Sequence, residues 1–162
     1  MRARKIAKLP AQAFQLSLHI RHPSMDPREI SQELEFEADE FLPAGGPQDS
    51  ERGVSAGTSV TRECYWAAAL DGRIFGKFAG MMEKTVASVG TERMPEIFLP
   101  LVCGRLFAKN KRFLQRIRVE GGSVSMVATI VGDPQCAFKL TPELARQVSE
   151  IGITIDFQFI GR

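Results

Sequence analysis

The most constraining feature of this sequence is its C-terminal part, where a helix signal runs directly into an alternating strand. Thr141 is a residue type that caps helices, Pro142 suits the first helical position, and Gly152 suits the position after the last turn. Between them, three apolar residues recur at helical spacing: Leu144, Val148 and Ile151. Residues 153–159 then alternate, and their predicted inward side chains are Ile153, Ile155, Phe157 and Phe159. A helix followed by a half-buried strand requires a sheet with a helical layer packed on it.

A strand and a helix are also predicted near the N-terminus, in the opposite order. Residues 14–21 alternate strictly between apolar and polar side chains, as in a half-buried strand. The polar face of this strand consists of Gln15, Ser17, His19 and Arg21. Asp26, Pro27 and Glu29 then supply an N-cap, a first-turn proline and the glutamate of a capping box, so a short helix is predicted to follow.

The stretch T61-R-E-C-Y-W-A-A-A69 holds the only tyrosine and the only tryptophan of the chain. As a strand it turns three side chains toward the core: Cys64, Trp66 and Ala68. The charge of Glu63 marks the outer face, which Tyr65 shares. Cys64 is therefore predicted to be a small buried hydrophobe and not a nucleophile, and no catalytic residue is predicted elsewhere.

Two helices and a hairpin are predicted in the middle of the chain. Residues 75–89 carry apolar side chains at helical spacing, and a second helix is predicted over 96–109, weakened by Pro100 and Gly104. Residues 116–131 contain two β-rich runs around a Gly-Gly pair and predict a β-hairpin.

The predicted fold class is α+β, with an antiparallel or mixed sheet and helices mostly on one face, in the order β-α-loop-β-α-α-β-β-α-β. Residues 35–42 fit either a short strand or an irregular return. The 162 residues suit a single domain, 1–162, with a flexible N-terminus over 1–12 and a long loop over 44–60 that is rich in Gly, Pro and Ser.

The sparse cysteines and histidines give no sign of a metal, a cofactor or a disulfide framework. Three cysteines lie far apart in the chain: Cys64, Cys103 and Cys136. His19 and His22 stand three apart on a strand, so they point to opposite faces and do not share one ion. No apolar run is long enough to span a bilayer and no signal peptide is complete, which predicts a soluble, cytoplasmic protein with no membrane partner.

Charge is unevenly distributed, although the formal net charge is only +2. Residues 29–40 hold six acidic and no basic side chains, which suggests an acidic side and a basic side. The candidate binding face is the basic run Arg105, Lys109, Lys111, Arg112, Arg116 and Arg118. Phe107 and Phe113 interrupt this run. Cations interleaved with aromatics suit nucleic-acid binding, but the favoured interpretation puts both rings in the core.

Four segments together carry a resemblance to a known family. They are the Ser17 to Ile20 strand, the Asp26 to Leu34 helix, the Tyr65-Trp66 strand after a variable loop, and the ending from Leu144 to Phe157. This combination resembles the domain-of-unknown-function family 4279, whose members are small bacterial proteins. The resemblance implies a fold and a bacterial cytoplasmic setting. It implies no activity.

The sequence favours a non-enzymatic interaction or regulatory protein that acts on another protein through its charged faces, for example by protecting against it. The alternative is a nucleic-acid-binding module that uses the basic run. A small hydrolase or transferase ranks third, because no nucleophile stands near a base in the sequence. The oligomeric state is left open.

Overall fold

A computed structural model describes residues 13–45, 63–70, 94–131 and 139–160. In chain order, the elements are β1 (Ala13–His22), α1 (Pro27–Leu34), β2 (Glu40–Leu42), β3 (Cys64–Ala69), α2 (Met94–Val102), a π-helical segment (Cys103–Phe107), α3 (Ala108–Val119), β4 (Ser123–Val131), α4 (Pro142–Ile151) and β5 (Thr154–Ile160). The predicted α+β class is confirmed. The predicted helix over 75–89, the N-terminus 1–12 and most of the 44–60 loop lie outside the described residues.

The five strands form one mixed sheet in the order β2-β3-β1-β4-β5. All neighbours are antiparallel except β4 and β5, which are parallel. β4 reaches β5 through α4, as parallel neighbours require a crossover connection. β1 lies in the centre, so its hydrogen-bonding groups are used on both sides.

The inward faces of the strands and the described helices share one hydrophobic core. Trp66 is fully buried there, and its indole N–H donates to Ser31 Oγ of α1 over 3.0 Å. The Phe36 ring lies 5.4 Å from the indole, centroid to centroid. Cys64 and Ala68 are buried on the same face, whereas Glu63 is exposed and Tyr65 is half-buried. The predicted phase of this strand is confirmed.

The predicted hairpin over 116–131 is wrong, because its first half is the end of α3. Phe113, Leu114 and Ile117 are buried at helical spacing, and this stripe packs into the core. The helix ends where the Gly122 N–H donates to the Ile117 carbonyl over 2.8 Å, and Gly121 adopts a φ of 87°. The Gly-Gly pair therefore joins a helix to β4 and not one strand to another.

The helix predicted over 96–109 is also longer and less regular than expected. α2 contains Pro100, and the widened π-helical turn follows it before α3 continues to Val119. Residues 40–42 form the short strand β2, which settles the open choice for 35–42 in favour of a strand. No helix among the described residues is long and apolar enough to cross a membrane.

The C-terminal helix and strand follow the prediction except at their end. Thr141 Oγ1 accepts from the Leu144 N–H over 3.3 Å, and Gly152 ends α4 with a φ of 76°. Ile153 is buried, but Phe159 is 44% exposed, so its predicted place in the core is wrong. The physical reason is that β5 lies at the edge of the sheet among the described strands, and its last residues extend beyond the core.

Candidate functional site

The sheet has a second face, opposite the core, which we call the outer face. The described helices pack on the core side, and strand alternation puts mainly hydrogen-bonding side chains on the outer face. From the five strands these are Glu40, Gln15, Ser17, His19, Arg21, Tyr65, Ser123, Ser125, Thr129, Thr154, Asp156 and Gln158. All of them are exposed or half-buried.

His19 lies at the centre of a hydrogen-bonded network on this face. Its Nε2 shares a hydrogen bond with Ser17 Oγ over 2.8 Å, and its Nδ1 shares one with the Tyr65 hydroxyl over 2.9 Å. The His19 and Tyr65 rings lie 5.9 Å apart, centroid to centroid. Both ring nitrogens of the imidazole are therefore used, which holds the three side chains in defined positions.

The register between β1 and β3 explains why these residues meet. His19 lies directly opposite Ala67, and Arg21 lies opposite Tyr65. Tyr65 is thus the diagonal neighbour of His19, within reach of a long aromatic side chain, and the small Ala67 leaves room for both rings. The Arg21 guanidinium lies 5.6 Å from the Tyr65 ring centroid, as in a cation–π contact.

Burial lowers the pKa of His19 below its ordinary value of 6.5, and Arg21 lowers it further, whereas Glu40 and Asp156 act in the opposite direction. Burial also raises the pKa of the Tyr65 phenol. At pH 7 His19 is a neutral imidazole and Tyr65 a neutral phenol, so one ring nitrogen of His19 donates and the other accepts. The outer face thus offers both donors and acceptors without a charge at its centre.

Ser17 Oγ and His19 Nε2 lie at hydrogen-bond distance, as do the nucleophile and the general base of many hydrolases. Acyl transfer also needs N–H donors directed at a developing oxyanion. Around Ser17, β1 is paired with β3 on one side and β4 on the other, so the sheet uses these backbone groups. The second ring nitrogen of His19 faces a phenol where a carboxylate would orient a catalytic histidine. Within the described residues, Ser17 and His19 therefore lack two of the features that acyl transfer uses.

The two histidines point to opposite faces, as predicted. His22 is buried on the core side, where its Nδ1 accepts from the N–H groups of Met25 (2.9 Å) and Ser24 (3.2 Å). His22 thereby stabilises the turn from β1 to α1. Across the described residues, no group of three or more His, Cys, Asp or Glu side chains could hold a metal ion.

The basic run and the acidic stretch lie side by side. Lys109 on α3 forms an ion pair with Glu35 at the end of α1, and Arg116 pairs with Glu29 near the start of α1. α1 and α3 therefore neutralise each other along their length. The prediction of separate acidic and basic sides is wrong for this pair of helices.

The other cations of the basic run are dispersed. Lys111 pairs with Glu150 of α4 over 3.3 Å. Arg112 and Arg118 are exposed and make no ion pair within the described part of the chain. The backbone of Arg105 lies in the π-helical segment, one turn before α3.

The aromatic rings of the basic run are in the core. Phe107 is fully buried, and only a small fraction of Phe113 is accessible. The favoured interpretation of these two residues is confirmed. Because neither ring can stack on a base, the run retains only its electrostatic contribution to nucleic-acid binding.

The candidate nucleophile Cys64 is fully buried, and burial raises the pKa of its thiol. Burial also raises the pKa of Cys103 to about 12. Buried neutral thiols are poor nucleophiles, so the interpretation of Cys64 as a core residue stands. Cys136 lies outside the described residues.

Sequence reasoning placed His19 and Tyr65 on outward faces but did not join them into a site. The two residues are 46 positions apart, and only the pairing of β1 with β3 brings them together. The available signal was the alternation of side chains along each strand, which puts Ser17, His19, Arg21 and Tyr65 on the outward face of their strands.

Comparison with known proteins adds no relative, since no protein-family model, curated protein or solved structure matches this chain.

Proposed function

We propose that this chain is a non-enzymatic bacterial interaction or regulatory protein that binds a partner protein through the outer face of its sheet. The observation that carries the proposal is the network of Ser17, His19 and Tyr65, flanked by the exposed Arg21. Side chains that are already held in place lose less conformational entropy on binding than free ones. The resemblance to the 4279 family implies a bacterial cytoplasmic setting, which is part of the proposal.

The composition of the outer face favours a protein as the partner. Tyrosine and arginine are enriched in protein interfaces, where they contribute a large share of the binding energy. Glu40 and Asp156 flank the network and would repel phosphates. A broad sheet face with donors and acceptors from several strands fits a protein surface or a peptide better than a phosphate backbone.

The alternative proposal, nucleic-acid binding by the basic run, has less support. The exposed Arg112 and Arg118 favour it, because no acidic side chain in the described part of the chain neutralises them. The ion pairs of Lys109, Lys111 and Arg116 count against it.

Capture of partners from the native cell separates the two proposals. The experiment compares the tagged wild type with Arg21→Glu on the outer face and Arg112→Glu on α3. Both arginines are exposed, and Arg112→Glu should change stability by no more than about 0.5 kcal/mol. Arg21→Glu also loses the cation–π contact with Tyr65, so it should cost about 0.5–1 kcal/mol. We expect Arg21→Glu to reduce recovery of the bound protein by at least about tenfold, whereas Arg112→Glu retains it.

The opposite pattern contradicts the proposal. If Arg112→Glu loses the partner and Arg21→Glu keeps it, the binding site is on α3. A labelled single-stranded oligonucleotide tests the alternative in parallel: absence of binding at low salt removes it. Salt-sensitive binding that is lost in an Arg112→Glu, Arg118→Glu double variant supports it.

A further inference from the structure

The two edges of the sheet differ in their protection. β2 has three residues and is followed directly by Pro43, and both features discourage pairing with another strand. β5 has seven residues and contains no Lys, Arg or Pro. Among the described residues, no strand pairs with its outer edge. An open edge of this length presents unpaired N–H and C=O groups that can accept a further strand.

Large apolar side chains are exposed at the end of this open edge. Phe159 is 44% exposed and Ile160 is 51% exposed. Leu140, which is 52% exposed, precedes α4. α4 connects the end of β4 to the start of the parallel strand β5. The start of α4 therefore lies at the end of the sheet where β4 and β5 finish, near Phe159 and Ile160. Exposed apolar surface next to an unpaired strand indicates an interaction surface.

We propose that β5 pairs antiparallel with β5 of a second copy of this chain, about a two-fold axis at Phe157. In this register Ile155 lies opposite the partner's Phe159, and Asp156 lies opposite the partner's Gln158. On the core side, Ile155, Phe157 and Phe159 meet apolar side chains, and on the outer face Asp156 and Gln158 meet each other. Only at the two ends does a polar side chain, Thr154, lie opposite an apolar one, the partner's Ile160. The central five residues of the strand are therefore complementary to themselves.

Other registers fit less well. A two-fold axis at Asp156 would set two carboxylates directly opposite each other, which is destabilising. A slip of one residue would set the outer face of one strand against the core side of the other. The axis at Phe157 also pairs all seven residues, and it joins the two sheets into one of ten strands with a continuous outer face. This inference rests on the open edge at β5 and the exposed apolar side chains beside it, and it is independent of the proposed function.

Sedimentation equilibrium of three proteins tests the pairing: wild type, Gln158→Lys and Gln158→Asp. Gln158 is exposed on the outer face, so both variants should fold. In the proposed dimer the new lysine lies opposite the partner's Asp156 at two symmetric positions, whereas the new aspartate lies opposite a like charge. We expect the dimer Kd to decrease on the order of tenfold for Gln158→Lys and to increase by a similar factor for Gln158→Asp.

Two further variants locate the surface. Phe159→Lys should prevent dimerisation, whereas Val119→Lys should leave the Kd unchanged, since Val119 is 87% exposed at the end of α3 and far in the chain from β5. The proposal is overturned if the wild type remains a monomer up to about millimolar concentration. It is equally overturned by a dimer whose Kd is the same in both Gln158 variants, because such a dimer uses another surface.

Discussion

Replacing Trp66 with alanine should lower the free energy of unfolding by about 3–5 kcal/mol, the range observed for large aromatic side chains removed from a core. Trp66 is fully buried between Ile20 of β1 and Phe41 of β2 in the sheet, with Phe36 packed against its ring. The variant also leaves the Ser31 hydroxyl without its indole donor. Such a loss is a large part of the roughly 5–15 kcal/mol that stabilises a typical domain.

Chemical denaturation followed by circular dichroism measures this loss, with Tyr65→Ala as the matched control. Tyr65 is the next residue on the same strand but faces outward and is only half-buried. Its truncation should therefore cost clearly less. Equal losses in the two variants, or emission from Trp66 like that of indole in water, would show that the phase of β3 is reversed.

Replacing Gly122 with alanine should cost about 1–3 kcal/mol, because the new methyl group has no space. A Cβ at this position would lie 2.6 Å from the Arg21 carbonyl oxygen, 2.8 Å from Ile117 Cγ2 and 2.9 Å from His22 Cδ2. The Arg21 carbonyl belongs to the central strand β1, which is paired on both sides and cannot move away.

Gly104→Ala is the control for this prediction. Gly104 lies in the π-helical segment, and a Cβ there would meet no atom within 4 Å. The control should therefore match or slightly exceed the wild type in stability, since alanine favours helices over glycine by up to about 1 kcal/mol. A Gly122→Ala variant with the thermal midpoint of the wild type would contradict the close packing of α3, the Gly-Gly turn and β1.

Local sequence signals correctly predicted where the first and last helices begin and where the last helix ends. The caps at Asp26 and Thr141 and the stop at Gly152 depend on side-chain and backbone chemistry within a few residues, so they can be read directly from sequence. Strand alternation likewise predicted which side of β1 and β3 is buried. These features survive because tertiary packing agrees with local preference.

Predictions failed where tertiary contacts override local preference. Ile117 and Val119 are β-branched and resembled a strand, yet Ile117 is held in α3 by burial in the core with Phe113 and Leu114. Phe159 follows the apolar–polar alternation of its strand. Its exposure was not predicted, because no local feature of the sequence shows that β5 is last in the order of the described strands.

The candidate site was even less accessible to sequence reasoning. Its residues come from different strands, and which strands pair depends on the whole sheet. Alternation along each strand therefore predicted the face on which each residue lies but not the residues next to it on the neighbouring strand. The ion pair between Arg116 and Glu29 spans 87 positions for the same reason. Charge counts along the chain suggested a free basic surface, whereas the folded chain pairs Lys109, Lys111 and Arg116 of that run with acidic side chains.

The proposed binding site depends on an ordered, uncharged network of Ser17, His19 and Tyr65 at neutral pH, and an NMR titration of the His19 imidazole nitrogens tests it most directly. A His19→Gln variant assigns the signals, because only His22 remains in it. Since the folded chain disfavours the charged imidazole, we expect the pKa of His19 to lie below 6.5. The unfolded chain then binds the proton more readily, so protonation of His19 should reduce stability as the pH falls through about 6.5.

In the same titration, Tyr65→Phe removes the hydroxyl that shares the Nδ1 hydrogen bond. This variant should change the Nδ1 shift at neutral pH and leave His22 unaffected. A His19 pKa at or above 6.5 in the wild type, together with an Nδ1 shift that does not respond to Tyr65→Phe, would show that the network does not form and would contradict the proposed binding site.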